Sequence, residues 1–350
     1  MRTNAISTAN LWNSPRMGVA RAQAEIATAN QELVTGRHAD MGLALGSRTG
    51  AAFILRQKLA ELTALRDGND TTSLRLSSSQ TVLQQIQSGA DATLKTLIGA
   101  PPDQRAEIVR KAATSQLAAL TAALNTSAGG QSIFGGTNTL ESPMAVYAGT
   151  PSSTAKQAVD AVFAFQLGTR GSAALATVTA VQMSSFLAEP NGAFATLFND
   201  ANWALNWSDA SDTTIDSQVS LTDRVQTSVS ANAAAVRDVA KALVIASDLD
   251  LSSFSAEAQD VAFERIADLL GSASKGLVAL QADLGRSQAT ITDANTRMEA
   301  QRTLLTKQIG QLEGVDVAEA KTRIDQLTTQ VQISYSLTSQ LRQLSLVNYL

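Results

Sequence analysis

His38 is the one histidine in 350 residues, and it stands two places before Asp40. Imidazole titrates near neutrality, so a His–Asp pair could act as a general base. The surrounding Thr35-Gly36-Arg37-His38-Ala39-Asp40 supplies no nucleophile, and the plainer reading is an exposed turn following a first helix. Gly42-Leu43-Ala44-Leu45-Gly46 has glycine spacing loosely like a phosphate loop. It lacks a preceding strand and a closing Gly-Lys-Ser/Thr, which leaves a flexible linker. Gly135-Gly136, after Ile133-Phe134, could approach a ligand, but a tight turn explains the pair better. Trp203 and Trp207, four residues apart, could stack a sugar or fill a core.

The chain has no cysteine, which excludes disulfides, thiolate metal sites and thiol nucleophiles. A single histidine excludes His-rich zinc sites and argues against a Ser-His-Asp triad. The carboxylates are scattered without the spacing of an acid/base pair. No catalytic, cofactor-binding or metal-ligating set emerges, so the expectation is no enzyme and no cofactor. Net charge is −4, and 19 Arg and 8 Lys are spread without a basic block, which argues against nucleic acid as a partner. The uncharged stretches 112–140 and 171–188 are broken by Ser, Thr, Gln and Gly, so no membrane insertion is expected. The opening MRTNAISTANLWNSP has no apolar core of the kind found in a cleaved signal peptide.

With chemistry scarce, architecture carries the information. All six prolines lie at or before Pro190, and the proline-free remainder is rich in Ala, Leu, Gln and Arg, which favours long helices. Nine of the fifteen aromatics fall between Phe134 and Trp207, together with several glycines. Residues 137–216 therefore read as a small inserted outer α+β domain. Its seven acids against Lys156 and Arg170 leave it at −5. Strand signals are expected at 203–207, 213–220 and 224–229, and helices at 154–165 and 175–187.

The flanks show seven-residue ladders. Val19, Ile26 and Leu33 recur with Ala22 and Ala29 between them; Leu55, Leu62, Asn69, Leu76, Leu83, Ala90 and Leu97 form a second ladder. A helix over 51–99 would be about 70 Å long. Leu284, Ile291, Met298, Leu305 and Leu312 make a third ladder, and Ala320, Ile324, Leu327 and Val331, then Leu337, Leu341 and Leu344, extend the pattern past Gly314. These are coiled-coil seams. Asn69 within its ladder reads as a register-setting polar position or an exposed turn. Pro101-Pro102-Asp103 opens a helix over 104–126 that Gly129-Gly130 would close; Ser255 and Asp316 read as helix caps.

The fold expected is mainly α, with long N- and C-terminal helices paired as a coiled coil around the small insert. The division is 1–42 with 305–350 as terminal coiled coil, 43–136 with 217–304 as helical rod, and 137–216 as insert. The candidate assembly interface is Val19, Ala22, Ile26, Ala29, Leu33, Ile324, Leu327 and Val331, with Leu341, Leu344, Leu346, Tyr349 and Leu350 at the end. One helix cannot bury all of that apolar surface against a single partner.

Thr35-Gly36-Arg37, Ser132-Ile133-Phe134-Gly135-Gly136-Thr137, Gly314-Val315-Asp316-Val317-Ala318-Glu319-Ala320 and the closing Leu344-Ser345-Leu346-Val347-Asn348-Tyr349-Leu350 together resemble the flagellin superfamily. The resemblance spans roughly 1–137 and 217–350. The Phe-Gly-Gly-Thr segment and the closing residues resemble its hook–filament junction (hook-associated) branch. The family's Ser-Gly-Lys-Arg and Pro-Ser-Asp-Asp run is replaced by residues 35–40. The resemblance implies a structural, extracellular subunit of the bacterial flagellum, exported through the type III apparatus without a cleaved signal. It would assemble with itself as a ring or helical polymer, beside a neighbouring hook-associated protein and flagellin, after handling by an export chaperone. The alternatives are a filament-forming flagellin or, in another class, a signalling or adaptor coiled coil.

Overall fold

The computed structural model describes the backbone of residues 8–347 and the side chains of residues 16–340. Among the described residues the α-helices are α1 (Thr8–Thr35), α2 (Met41–Leu45), α3 (Thr49–Gly99), α4 (Arg105–Leu124), α5 (Thr154–Gln166), α6 (Ala180–Leu187), α7 (Asp200–Asn206), α8 (Ala234–Asp248), α9 (Ala256–Glu313) and α10 (Val317–Val347). Two small antiparallel hairpins accompany them, β1 (Ser127–Ala128) with β2 (Gln131–Ser132) and β3 (Asp216–Gln218) with β4 (Arg224–Gln226). The fold is mainly α. The chain divides into two compact units, Met1–Ala64 with Arg297–Leu350, and Leu65–Thr296.

In the first unit α1 stops at Gly36, whose φ of 67° is the left-handed geometry a helix end commonly adopts. The segment expected to be a flexible linker is instead helix α2. Asp40 caps it by accepting the Leu43 N–H at 2.9 Å, and buried Leu45 anchors it. At α10 the Asp316 carboxylate accepts the Ala318 N–H at 2.8 Å, as a cap should. Glu319 turns to Arg323 rather than back to the cap, so the capping box is only half made.

The second unit is built around four helices. Gln87 meets Gln281 and Asn69 meets Asn295, which sets α3 antiparallel to α9. Leu76, Leu83, Ala90 and Leu97 of the second ladder are buried, as are Leu284 and Ile291 opposite. Asn69, 1% exposed, donates to the Val219 carbonyl at 2.8 Å and to Asn295 Oδ1 at 2.7 Å; it is a buried polar tie and not an exposed turn. Helix α4 packs on α8, and Gly276 of α9 closes on Ala235 of α8. Helix α8 buries nine of its fifteen residues, and its bounds had not been drawn within the stretch expected as helical rod. Its polar residues Arg237, Asp238, Lys241 and Asp248 recur at helical spacing on one face, opposite the buried apolar residues.

Several local expectations are corrected. Asn125, not Gly129-Gly130, ends α4. The two glycines instead turn the β1–β2 hairpin, with φ of 60° and 77°, the positive pair a two-residue turn of this type needs. Residues 203–206 are not a strand but part of α7, capped by Asn199 at its start and Trp207 at its end. Trp203 and Trp207 are buried and stack at 5.4 Å, with Phe198 and Tyr147 each 5.0 Å from Trp207. They are core and not a sugar platform. The 175–187 helix is split, its second half starting at α6 under a complete Thr179–Gln182 capping box. The hairpin β3–β4 lies within the two expected strand segments.

Segment 137–216 is stitched to its unit by polar bonds. The Asn125 side chain brackets Met144, donating to its carbonyl at 2.9 Å and accepting its N–H at 2.8 Å. Asp248, at the end of α8, accepts Tyr147 Oη at 2.6 Å and Lys156 Nζ at 2.9 Å. Arg170 pairs with Asp160 and lies 4.8 Å over the Phe163 ring. Both basic residues of the segment are therefore spent internally. In Ile133-Phe134-Gly135-Gly136 the apolar pair is buried, and the glycines lie against the backbone of residues 211–213.

Candidate assembly interface

The first unit brings together most of the predicted assembly residues, and it does so within one protomer. Gln23 Nε2 of α1 reaches Tyr335 Oη of α10 at 3.2 Å, and Arg37 bridges Gly314, so the two helices run antiparallel. On α1, Ala22 and Ala29 are buried while Val19, Ile26 and Leu33 are half-buried. On α10, Ala320 is buried, and Ile324, Leu327 and Val331 are half-buried. The small alanines let the helices approach, and the larger residues flank them.

Beyond Val331 the seam departs from the sequence reading. The half-buried positions continue at Ser334 and Thr338, keeping the 3–4 alternation of 320, 324, 327 and 331. Leu337 lies off that stripe and is 52% exposed. It does not continue the α1-facing seam, and neither does its neighbour Ile333, 54% exposed. The two leucine-rich and serine-threonine-rich stripes have the same spacing, and hydropathy alone chose the wrong one. Leu341, Leu344, Leu346, Tyr349 and Leu350 lie outside the described side chains.

At the closed end of this helix pair sits a charged knot that sequence reasoning missed. Glu313, the last residue of α9, is 1% exposed and accepts Arg56 Nη2 at 2.6 Å, with Arg37 Nη1 at 3.9 Å. That hydrogen bond raises the Arg56 guanidinium above its usual pKa. Glu32 of α1, also buried, accepts the Ala39 N–H at 3.2 Å and lies 3.7 Å from His38 Nδ1 and 3.9 Å from Arg323 Nη1. The backbone closes the knot: His38 N–H donates to the Glu313 carbonyl at 3.0 Å and Val315 N–H to the Gly36 carbonyl at 3.1 Å. His38 is half-buried and faces Glu32, while Asp40 is occupied with α2, so the His38–Asp40 pair does not form. One signal could have revealed the knot. An acid at a helix C-terminus, as Glu313 is, opposes the helix dipole and calls for a cation beside it.

Among the described residues no group of three or more His, Asp and Glu is placed to hold a metal ion. No described helix is long and apolar enough to cross a membrane.

Residues 6–139 match the bacterial flagellin N-terminal helical region, and residues 267–350 match the bacterial flagellin C-terminal helical region. Together these regions take in more than half of the chain. The chain belongs to the flagellin superfamily. Both matched regions feed the α1–α10 pair and its knot, so the family's terminal halves meet here in space. Among solved structures the chain is similar to a protein assigned as a flagellar hook-associated protein from Vibrio parahaemolyticus, with a TM-score of 0.52 and 8% identity over 76% of this chain and 97% of that one. At that identity the likeness is one of fold. No curated protein sequence matches the chain significantly. Family membership makes the chain a structural subunit of the flagellum, extracellular and self-polymerising in kind.

Proposed function

We propose that this flagellin-superfamily chain is a junction subunit, joining hook to filament by self-assembly through its terminal helices. The observation that carries the assembly role is where apolar surface is left open. Among the described residues nineteen large apolar side chains are exposed, and ten belong to the first unit, although it is the smaller: Met17, Val34, Leu43, Phe53, Ile54, Leu304, Val317, Ile333, Tyr335 and Leu337. Its buried apolar set among the described residues is thin, with Ala22, Ala29, Ala52 and Ala320 beside Leu45, Leu62, Met298 and Ile309. A unit with half its small core in alanine and ten large apolar side chains outside needs neighbours to finish it. Each Leu-sized side chain covered contributes roughly 1.5–3 kcal/mol, so a few per protomer decide polymerisation.

Junction position, in preference to the filament itself, is supported by the Phe-Gly-Gly-Thr segment and the Ser-Leu-Val-Asn-Tyr-Leu ending. In this reading residues 1–42 with 305–350 form the polymer contacts, 43–136 with 217–304 the rod, and 137–216 the outward module. The seam residues from Val19 to Val331 hold the protomer's pair, and Leu341 to Leu350 reach adjacent subunits. Export is type III without cleavage, aided by a chaperone, with another hook-associated protein and flagellin as neighbours. A strain lacking the gene tests the position by negative-stain imaging. Hooks without filaments, with flagellin shed into the medium, are expected. Normal filaments, or a medium without shed flagellin, would overturn the junction role.

A further inference from the structure

We infer that the cavity between α4, α8 and the strap of residues 144–148 is a binding site for a compact, uncharged molecule with an apolar body and one hydroxyl group. The cavity measures about 330 Å³, inside the range of roughly 300–1,000 Å³ that small-molecule sites occupy. All of its lining belongs to the second unit. Helix α4 contributes Leu117, Ala118 and Ala122, and the strap contributes Val146 and Ala148. The strap is fixed at two points, by the Asn125 bracket on Met144 and by the bonds of Tyr147 and Lys156 to Asp248. The cavity is therefore preformed.

Its polar groups select the occupant. Lys156, Asp248 and Tyr147 all reach the lining. Lys156 Nζ lies 2.9 Å from both Asp160 Oδ1 and Asp248 Oδ1, and Arg170 pairs with the same two acids. Two cations thus cancel two carboxylates. An entering ion would give up its water and find no counter-charge free, which makes its burial costly. Three hydroxyls of the lining already donate: Tyr147 to Asp248 at 2.6 Å, Thr114 to the Arg110 carbonyl at 2.8 Å and Thr121 to the Leu117 carbonyl at 3.1 Å. Each keeps a lone pair with which to accept. A neutral donor such as an alcohol O–H meets them, while the apolar lining takes the body. The site is a property of the second unit and stands whether or not the chain occupies the hook–filament junction.

Isothermal titration of the purified full-length protein tests it, with three ligands that share one body: 2-naphthylmethanol, 2-naphthylmethylammonium and 2-naphthoate. The alcohol should bind about tenfold more tightly than either ion. Ala122→Phe and Ala118→Phe, which fill the cavity from α4, should each weaken the alcohol about tenfold. Ala282→Phe, at an exposed position of α9 in the same unit, should leave its affinity unchanged. Melting curves establish that each variant is folded, and should both filled variants unfold, the ligand series on the unaltered chain decides alone. Ions binding as tightly as the alcohol would overturn the assignment, as would an alcohol that does not bind. Full alcohol affinity in a folded Ala122→Phe or Ala118→Phe variant, or an equal loss in Ala282→Phe, would overturn it too.

Discussion

Replacing Asn69 with alanine should cost the second unit about 2–4 kcal/mol. Asn69 is 1% exposed, and its amide nitrogen serves both the Val219 carbonyl and Asn295 Oδ1. Removing it orphans the carbonyl of Val219, a fully buried residue, at about 1–3 kcal/mol. Asn295 is half-buried, so water can replace part of its lost bond and its share is nearer 0.5–1 kcal/mol. At a urea dependence of about 1–3 kcal/mol per molar, the unfolding midpoint should fall by roughly 1–2 M. Trp203 and Trp207 report on this unit by fluorescence, best in a Trp12→Phe background that silences the remaining indole. A double-mutant cycle with Asn295→Ala should give a coupling of about 1–2 kcal/mol. A single-variant loss below about 0.5 kcal/mol, or no coupling, would refute the claim that this polar tie fixes α3 against α9.

Gly136→Ala should lower the melting temperature of the second unit by about 5–10 °C, as scanning calorimetry would read, because φ is +60° and a Cβ would strike the Ser211 and Thr213 carbonyls. An unchanged melting point would show that the backbone approach is not tight. Leu337→Ser should leave monomer helicity unaltered by circular dichroism yet weaken assembly, since Leu337 is exposed and off the α1-facing seam; loss of helix with assembly intact would reverse its placement. For Tyr147, burial first and then the Asp248 charge and hydrogen bond push the phenol well above its usual value. A raised folded-state pKa favours the neutral phenol, so its contribution is complete below the unfolded value of about 10 and is lost as pH climbs past it. Alkaline absorbance titration, read as the difference between the unaltered protein and Tyr147→Phe, should show a Tyr147 phenolate component that appears only with unfolding; a difference component titrating near 10 in folded protein would contradict this.

Much of the helical frame was legible in the amino-acid order. Leu76, Leu83, Ala90 and Leu97 repeat every seven residues and are buried, because a helix that always meets the same neighbour must keep one face apolar. Asp316 and Ser255 could be recognised as caps because capping is local chemistry, a side-chain oxygen reaching an N–H two or three residues on. Helix α8 was foreseen only as part of a helical rod, although Arg237, Asp238, Lys241 and Asp248 at helical spacing mark its polar face. The sequence also misplaced the end of the α10 seam. Thr338, seven residues past Val331, keeps the helical spacing, whereas Leu337, six past it, lies roughly 120° off that face; hydropathy favoured the leucine over the spacing. The turn at 314–316 and the bonds from Gly36, His38 and Glu313 fix the rotation of α10, and that rotation turns Thr338 toward α1 and Leu337 outward. Spacing along a chain sets which residues share a face, but contacts between residues nearly three hundred positions apart decide which face is turned inward.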